Sequence, residues 1–297
     1  MSIDLGQLER PVMEYKTKNS KSIVSKVKTF LFYSFLIGLA VTQIFPLLWL
    51  FNYSLVKSGD LFGTEFIKIP NPPLWQNFVR AWVDGQIFHY FVNSVIVVGC
   101  SVVFAVLFSF LLAYACTRME WKLSRLVYGF VLMGMMIPIH ATLLPNFLLF
   151  NKLHLLNTHL GLIIPYVAFT IPFNTIMISG FLKSIPRAME ESAMIDGCSV
   201  WGSLFLIIAP ITKPALITTA IMTFMSDWNE FIMANTYLST EDVRTLPFSI
   251  IKFVGYYRSD YAIQFACMAI VAVPSLIIYF VLNKYITVGV TAGAVKG

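Results

Sequence analysis

Five stretches of this chain run for 22 to 28 residues without one Asp, Glu, Lys or Arg: 29–56, 90–117, 126–151, 160–182 and 262–283. A helix needs about 20 apolar residues to cross the hydrocarbon of a bilayer, so each run is long enough to span. Charged residues make up 12% of the chain and hydrophobic ones 58%, against a charged share of about 25% in soluble domains. No single soluble core could hide that much apolar surface. The fold class expected is all-α, a polytopic membrane protein with six transmembrane helices.

A sixth run, over about 204–237 and fifth of the spans in chain order, differs from the others. It is interrupted by Lys213, Asp227 and Glu230, and only 13 residues separate Lys213 from Asp227. That length of helix covers about 20 Å, less than the roughly 30 Å hydrocarbon core. At least one of these charges must snorkel, or face a cavity or a partner chain.

Orientation follows from the basic residues at span ends. Arg10, Lys16, Lys18, Lys21, Lys26 and Lys28 precede the first span, and Arg118, Lys122 and Arg125 follow the second. With six spans both clusters lie on one side, and Lys/Arg excess marks the cytoplasm. Both termini and the polar insert near 183–203 are then cytoplasmic. The net charge of +6 is explained by topology rather than by nucleic acid. The first 28 residues are polar and basic, and the apolar run after them is too long for the core of a cleavable signal peptide.

Eight prolines lie in or beside spans: Pro46, Pro138, Pro145, Pro165, Pro172, Pro210, Pro214 and Pro274. Each removes a backbone donor and favours a kink. In a bilayer the freed carbonyls need neighbours or water.

The insert is the most informative stretch. Pro186 suits the first turn of a helix, Glu190 and Glu191 complement its N-terminal dipole, and Gly197 suits a left-handed C′ position. A helix is expected over 186–196, with a second segment starting near Ser199 and entering the fifth span. Two helices meeting at a glycine form a compact knob. Ala188, Met189, Ala193 and Met194 supply small or flexible apolar contacts, while Glu190, Glu191 and Asp196 supply charge. Such a surface fits docking; a helix lying on lipid headgroups is the alternative.

Catalytic signatures are not found. There is no G-x-x-x-x-G-K-[ST] loop for phosphate, no HExxH and no GxSxG. Cys100, Cys116, Cys198 and Cys267 form no CxxC pair and read as free thiols. His140, beside Pro138, reads as a satisfied or pore-facing histidine. The quartet Asp227, Trp228, Asn229 and Glu230 is placed near the outer end of its span, where it either touches a hydroxyl-rich ligand or braces a loop.

The stretch "EESAMIDG…IIAP" resembles the cytoplasmic loop motif of bacterial ABC importer permeases: E-A-A, three residues, G, nine residues, then I-x-L-P. Glu191, Ser192 and Ala193 stand for the triplet, Gly197 keeps the spacing, and Ile207 and Pro210 match the end. Two positions depart from the pattern, Ser192 for Ala and Ala209 for Leu; both put a small apolar or neutral residue there, and neither threatens docking. "MMIPIHATLLPNFLLFNKLHLLNTHLGLIIPY", "DWNEFI" and "GVTAGAVKG" look similar to carbohydrate-uptake permeases, the last to the second permease subunit of the maltose-transporter type.

The resemblance implies a type I ABC importer permease fold. It comprises a basic segment 1–28, a permease domain 29–288 containing a coupling loop 183–203, and a tail 289–297. It implies a non-enzymatic subunit of an ATP-driven sugar importer, in a bacterial cell membrane, with no cofactor of its own. The implied partners are a second permease, two ATPase subunits that bind the ATP, and an extracytoplasmic sugar-binding protein. Glu190, Glu191, Ser192, Ala193, Asp196, Gly197, Ile207 and Pro210 are the implied ATPase-coupling residues, with Thr291, Gly293, Lys296 and Gly297 as tail contacts. No substrate-contact residue is assigned. A self-contained secondary transporter and an intramembrane enzyme are the competing classes.

Overall fold

The computed structural model describes residues 23–61, 68–255 and 259–294, and the side chains among them from 25 to 281. Every regular element among these residues is helical. They are α1 (Ile23–Ser54), α2 (Gln76–Asp84), α3 (Ile87–Thr117), α4 (Ser124–Met133), α5 (Leu143–Lys152), α6 (Leu160–Leu182), α7 (Ala188–Ile195), α8 (Val200–Gly202), α9 (Ala209–Trp228), α10 (Ile232–Tyr237), α11 (Phe248–Ile251) and α12 (Tyr261–Ala294). Short 3-10 turns join several of them.

The described residues up to 48 and those from 49 onward form two compact units. In the first, α1 exposes its apolar side chains throughout residues 26–48, as suits a helix solvated by lipid or by another chain. In the second, α3, α6, α9 and α12 build the bundle.

The packing of α3 on α6 follows from small residues. Ser101, Ala105, Ser109 and Ala113 recur every fourth position of α3 and are fully buried. Small residues in register let helix backbones approach closely in a membrane, where no hydrophobic effect drives helices together. Ser109 donates to the Ile171 carbonyl of α6 at 3.3 Å. On α9, Thr212, Ala215, Thr219 and Thr223 form a comparable buried stripe, and Asn174 Nδ2 of α6 donates to Thr223 Oγ1 at 2.9 Å. The larger core lies around Tyr90, Leu162, Tyr166, Trp228, Tyr237 and Ile263; a smaller one gathers Phe110, Tyr114, Ile178, Leu182, Leu204 and Ile208 beside α7.

The expected six spans are reached with one bent pair counted as a single crossing. Five described helices are each long and apolar enough to cross: Ser25–Ser54, Ile87–Thr117, Leu160–Leu182, Val200–Trp228 and Tyr261–Val281. The third run, expected as one span over 126–151, is broken. Its limbs, Ser124–Met136 and Ile139–Lys152, meet at 91° and make a sixth span only if taken together. The break falls at Pro138, which has an extended ψ of 121° and stands between two 3-10 turns. Proline withholds the donor that would have continued the first limb.

Two helix boundaries also move. The short insert helix starts at Ala188, with Arg187 as its N-cap, so Pro186 stands ahead of it rather than in its first turn. The following segment begins as expected, with Ser199 Oγ accepting from Gly202 N at 3.1 Å. It then winds as a π-helix over Ser203–Ile208 before α9 takes over.

The N-terminal basic residues Arg10, Lys16, Lys18 and Lys21 lie outside the described residues, as do Lys296 and Gly297 of the tail. Thr291 and Gly293 belong to the backbone of α12.

Candidate functional site

The knob is built by two interlocking caps. At the end of α7, Cys198 N donates to Ala193 O at 2.9 Å and Gly197 N to Met194 O at 3.1 Å. This six-to-one and five-to-two pairing requires a left-handed residue between them, and Gly197 supplies it with φ +85°. Ser199 then caps the next turn. The chain thus reverses within a few residues while its terminal amides and carbonyls stay paired.

The residues grouped by sequence as one docking surface divide into two faces. Glu191, Ser192, Asp196 and Gly197 are exposed, together with Met189, Met194 and Ile195. Glu190 and Ala193, by contrast, are buried, so the expectation that Glu190 offers surface charge is corrected. Its carboxylate lies 3.0 Å from Arg118 Nε, at the C-terminal cap of α3. Arg118 also donates through Nη1 to the Ile185 carbonyl at 3.0 Å. A second, exposed pair joins Arg187 to Glu120 at 3.0 Å. Sequence reading took Arg118 as a topology charge alone; only its buried partner reveals the clamp. Ile207 is half-buried against the smaller core, and Pro210 opens α9 on an exposed face.

A second feature lies toward the other end of the bundle. A cavity of about 330 Å³ opens between α6, α9 and the broken span. Tyr166, Phe169, Thr170 and Phe173 come from one face of α6, and Met222, Thr223, Ser226 and Asp227 from one face of α9. Ile139 and His140, from the turn just after the break, form the remaining wall with Glu230 and Met233.

Within the Asp-Trp-Asn-Glu quartet the roles separate. Glu230 braces: its two oxygens accept from Tyr166 Oη at 2.7 Å, Met233 N at 2.7 Å and Ala234 N at 3.1 Å. It thereby caps α10 and ties it to α6. Trp228 is buried, stacks on Phe224 and donates to the Val271 carbonyl at 3.4 Å. Asn229 is exposed and bonds back to Met225 O. Asp227 alone turns a buried oxygen toward the cavity without a partner among the described residues. Of the interrupting charges, Lys213 is exposed while Asp227 lines the cavity, in line with the requirement that these charges snorkel or face a cavity.

On the far side of the bundle from the knob, Asn93 pins a loop. Its Nδ2 donates to the Asp242 and Arg244 carbonyls at 2.8 and 2.9 Å, and its Oδ1 meets His159 Nε2 at 3.1 Å. His89 Nε2 reaches Asp242 O at 2.9 Å. Burial, and secondarily His89, hold His159 below its ordinary value.

Among the described residues no group of three His, Cys, Asp or Glu side chains is placed to hold a metal.

A family model described as "Binding-protein-dependent transport system inner membrane component" matches residues 105–292. The chain belongs to this family. It is a multi-pass transport permease. Its sequence is 35% identical over 253 residues to a probable ABC transporter permease protein, YurM, of Bacillus subtilis (strain 168), covering 85% of this chain and 84% of that one. It is 32% identical over 262 residues to the trehalose/maltose transport system permease protein MalG of Thermococcus litoralis, covering 87% and 94%. Among solved structures, a bacterial ABC transporter involved in the import of the acidic polysaccharide alginate shares the fold, with a TM-score of 0.78 at 22% identity, over 89% of this permease and 98% of that chain.

Proposed function

We propose that this permease is one of two related membrane subunits of an ATP-driven saccharide importer. In this reading α7 and the Gly197 turn dock on a separate ATPase subunit. One observation carries it: the knob is exposed on one face and fastened on the other through the buried Arg118–Glu190 pair. A surface meant only to lie in water or on headgroups has no use for a rigid internal link to a spanning helix. A surface that must transmit force does. Closure of two ATPases on ATP would press the knob, and the clamp would pass the displacement to α3 and the bundle as a rigid-body rocking.

The broken span supports the second membrane subunit. Met135, Met136, Ile137 and Ile139 are exposed around the 91° break. Irregular backbone at membrane depth is tolerated where it meets protein or a water-filled path, not lipid. A homologous subunit on that face would enclose such a path. An extracytoplasmic binding protein would deliver the saccharide, a class supported by the trehalose/maltose relative. The protein resides in a bacterial cell membrane, with both termini and the knob in the cytoplasm. Thr291, Gly293, Lys296 and Gly297 are the tail positions proposed to meet the ATPase pair, which in this reading binds the ATP, with no cofactor on this chain.

The test is uptake by the complete transporter in proteoliposomes. Gly197→Pro and Glu191→Lys should abolish ATP-dependent uptake while both variants still assemble with the other membrane subunit. Uptake at the normal rate by both variants, or uptake driven by an ion gradient with this chain alone, overturns the reading.

A further inference from the structure

We propose that the cavity between α6 and α9 is a saccharide subsite contributed by this subunit, in which Asp227 accepts hydrogen bonds from ring hydroxyls, and that it selects against acidic saccharides. The inference rests on the saccharide reading above.

Asp227 is 6% exposed, and its Oδ2 has no hydrogen-bond partner among the described residues. A buried carboxylate oxygen without a donor is costly, because desolvation is uncompensated. Its neighbour Glu230 is held in the same lining but fully engaged by Tyr166, Met233 and Ala234. The two carboxylates therefore differ in kind: one is structural, and the other awaits a donor.

The rest of the wall supplies what a sugar ring needs. Phe169 and Phe173 offer apolar surface for the C–H faces, and Thr170 and Ser226 offer hydroxyls on opposite helices. The cavity of about 330 Å³ is at the small end of ligand pockets, enough for a terminal sugar unit rather than a whole chain. The single imidazole of His140 is the only basic group in the lining, against two carboxylates. A uronate or sulfonate placed there would find two carboxyl groups and no lysine or arginine to pair with it in a site of low dielectric. Hydroxyl donors are the complementary chemistry. The alginate transporter that shares this fold imports an acidic polymer; the lining of this chain points the other way.

The broken span gives the cavity a means of changing. Ile139 and His140 stand on the turn after the 91° bend, so straightening or rotation of either limb would move one wall.

The experiment uses the complete transporter with its binding protein, in proteoliposomes, offered xylobiose, maltose, cellobiose and the counterparts of the last two in which one glucose is replaced by glucuronate. Cys100, Cys116, Cys198 and Cys267 of this chain are replaced by alanine, and Thr170→Cys is labelled with a small thiol reagent. During ATP-driven uptake, the transported disaccharide should slow labelling at least threefold, and the protection should vanish when Asp227→Asn is added. Asp227→Asn should also lower uptake at saturating loaded binding protein by tenfold or more. Unchanged labelling during active uptake, or preferred uptake of a uronate, overturns the subsite and leaves the importer reading standing. No uptake of any saccharide overturns the importer reading itself. Should Asp227→Asn fail to assemble, protection of Thr170→Cys in the otherwise unaltered lining decides the matter.

Discussion

Arg118 and Glu190 face each other at 3.0 Å with side chains only 5% and 8% exposed, joining the end of α3 to the inner face of α7. Removing one member of a buried pair leaves the other charge stranded, at a cost of about 3–5 kcal/mol. Glu190→Ala and Arg118→Ala should each lower the unfolding midpoint of the purified transporter and uncouple ATP hydrolysis from uptake. The exchange Arg118→Glu with Glu190→Arg should recover part of the stability. A double variant no better than the worse single one would mean that the contact is incidental.

The turn at Gly197 is held at φ +85° with open space where a side chain would begin. Substitution there is therefore a backbone question. Gly197→Ala should cost about 1–2 kcal/mol, the penalty of placing a β-carbon in the left-handed region. Gly197→Asn should cost less, because asparagine visits that region readily. Thermal unfolding of the three proteins should rank glycine, asparagine, alanine; equal stability would show that the turn relaxes elsewhere.

Glu230 accepts three hydrogen bonds, two of them from the second and third amides of α10. Glu230→Ala should destabilise by about 2–3 kcal/mol, since hydrogen bonds to a charged group are worth roughly 1.5–3 kcal/mol each and partial rehydration offsets some of the loss. Hydrogen exchange at Met233 and Ala234 reports the effect directly. Glu230→Gln, which keeps one acceptor oxygen, should leave exchange at one of the two amides slow.

His159 is held below its ordinary value of 6.5, first by burial and then by His89. A base whose folded value lies below its unfolded one contributes its full share above the unfolded value. That share is lost as pH falls through 6.5 toward the folded value. The groups around it are His89, Asn93 and the carbonyls of Asp242 and Arg244. Hydrogen exchange over 242–246, corrected for intrinsic rates, should quicken between pH 7 and pH 5. His159→Gln should flatten that dependence; an unchanged slope would remove His159 from the account.

Much of this protein is written locally. Runs without charge set the spans, because a bilayer demands about 20 apolar residues in succession. Gly197 announces the turn, and Ser199 the helix after it, because caps and left-handed positions depend on a few adjacent residues. The interruption by Asp227 already required a cavity, a partner or snorkelling. What the chain alone left open was direction. Glu190 and Glu191 are neighbours of the same type, yet about 100° apart around a helix, and only the arrival of Arg118 from a distant segment decides which one is buried. Pro138 was visible as a kink, but its 91° angle depends on what the two limbs pack against. Asp227 and Glu230 look alike in sequence; Tyr166 and the amides of α10 claim one and leave the other facing the cavity. Backbone preference is summed over nearby residues, whereas the fate of a side chain is set by whichever distant surface covers it.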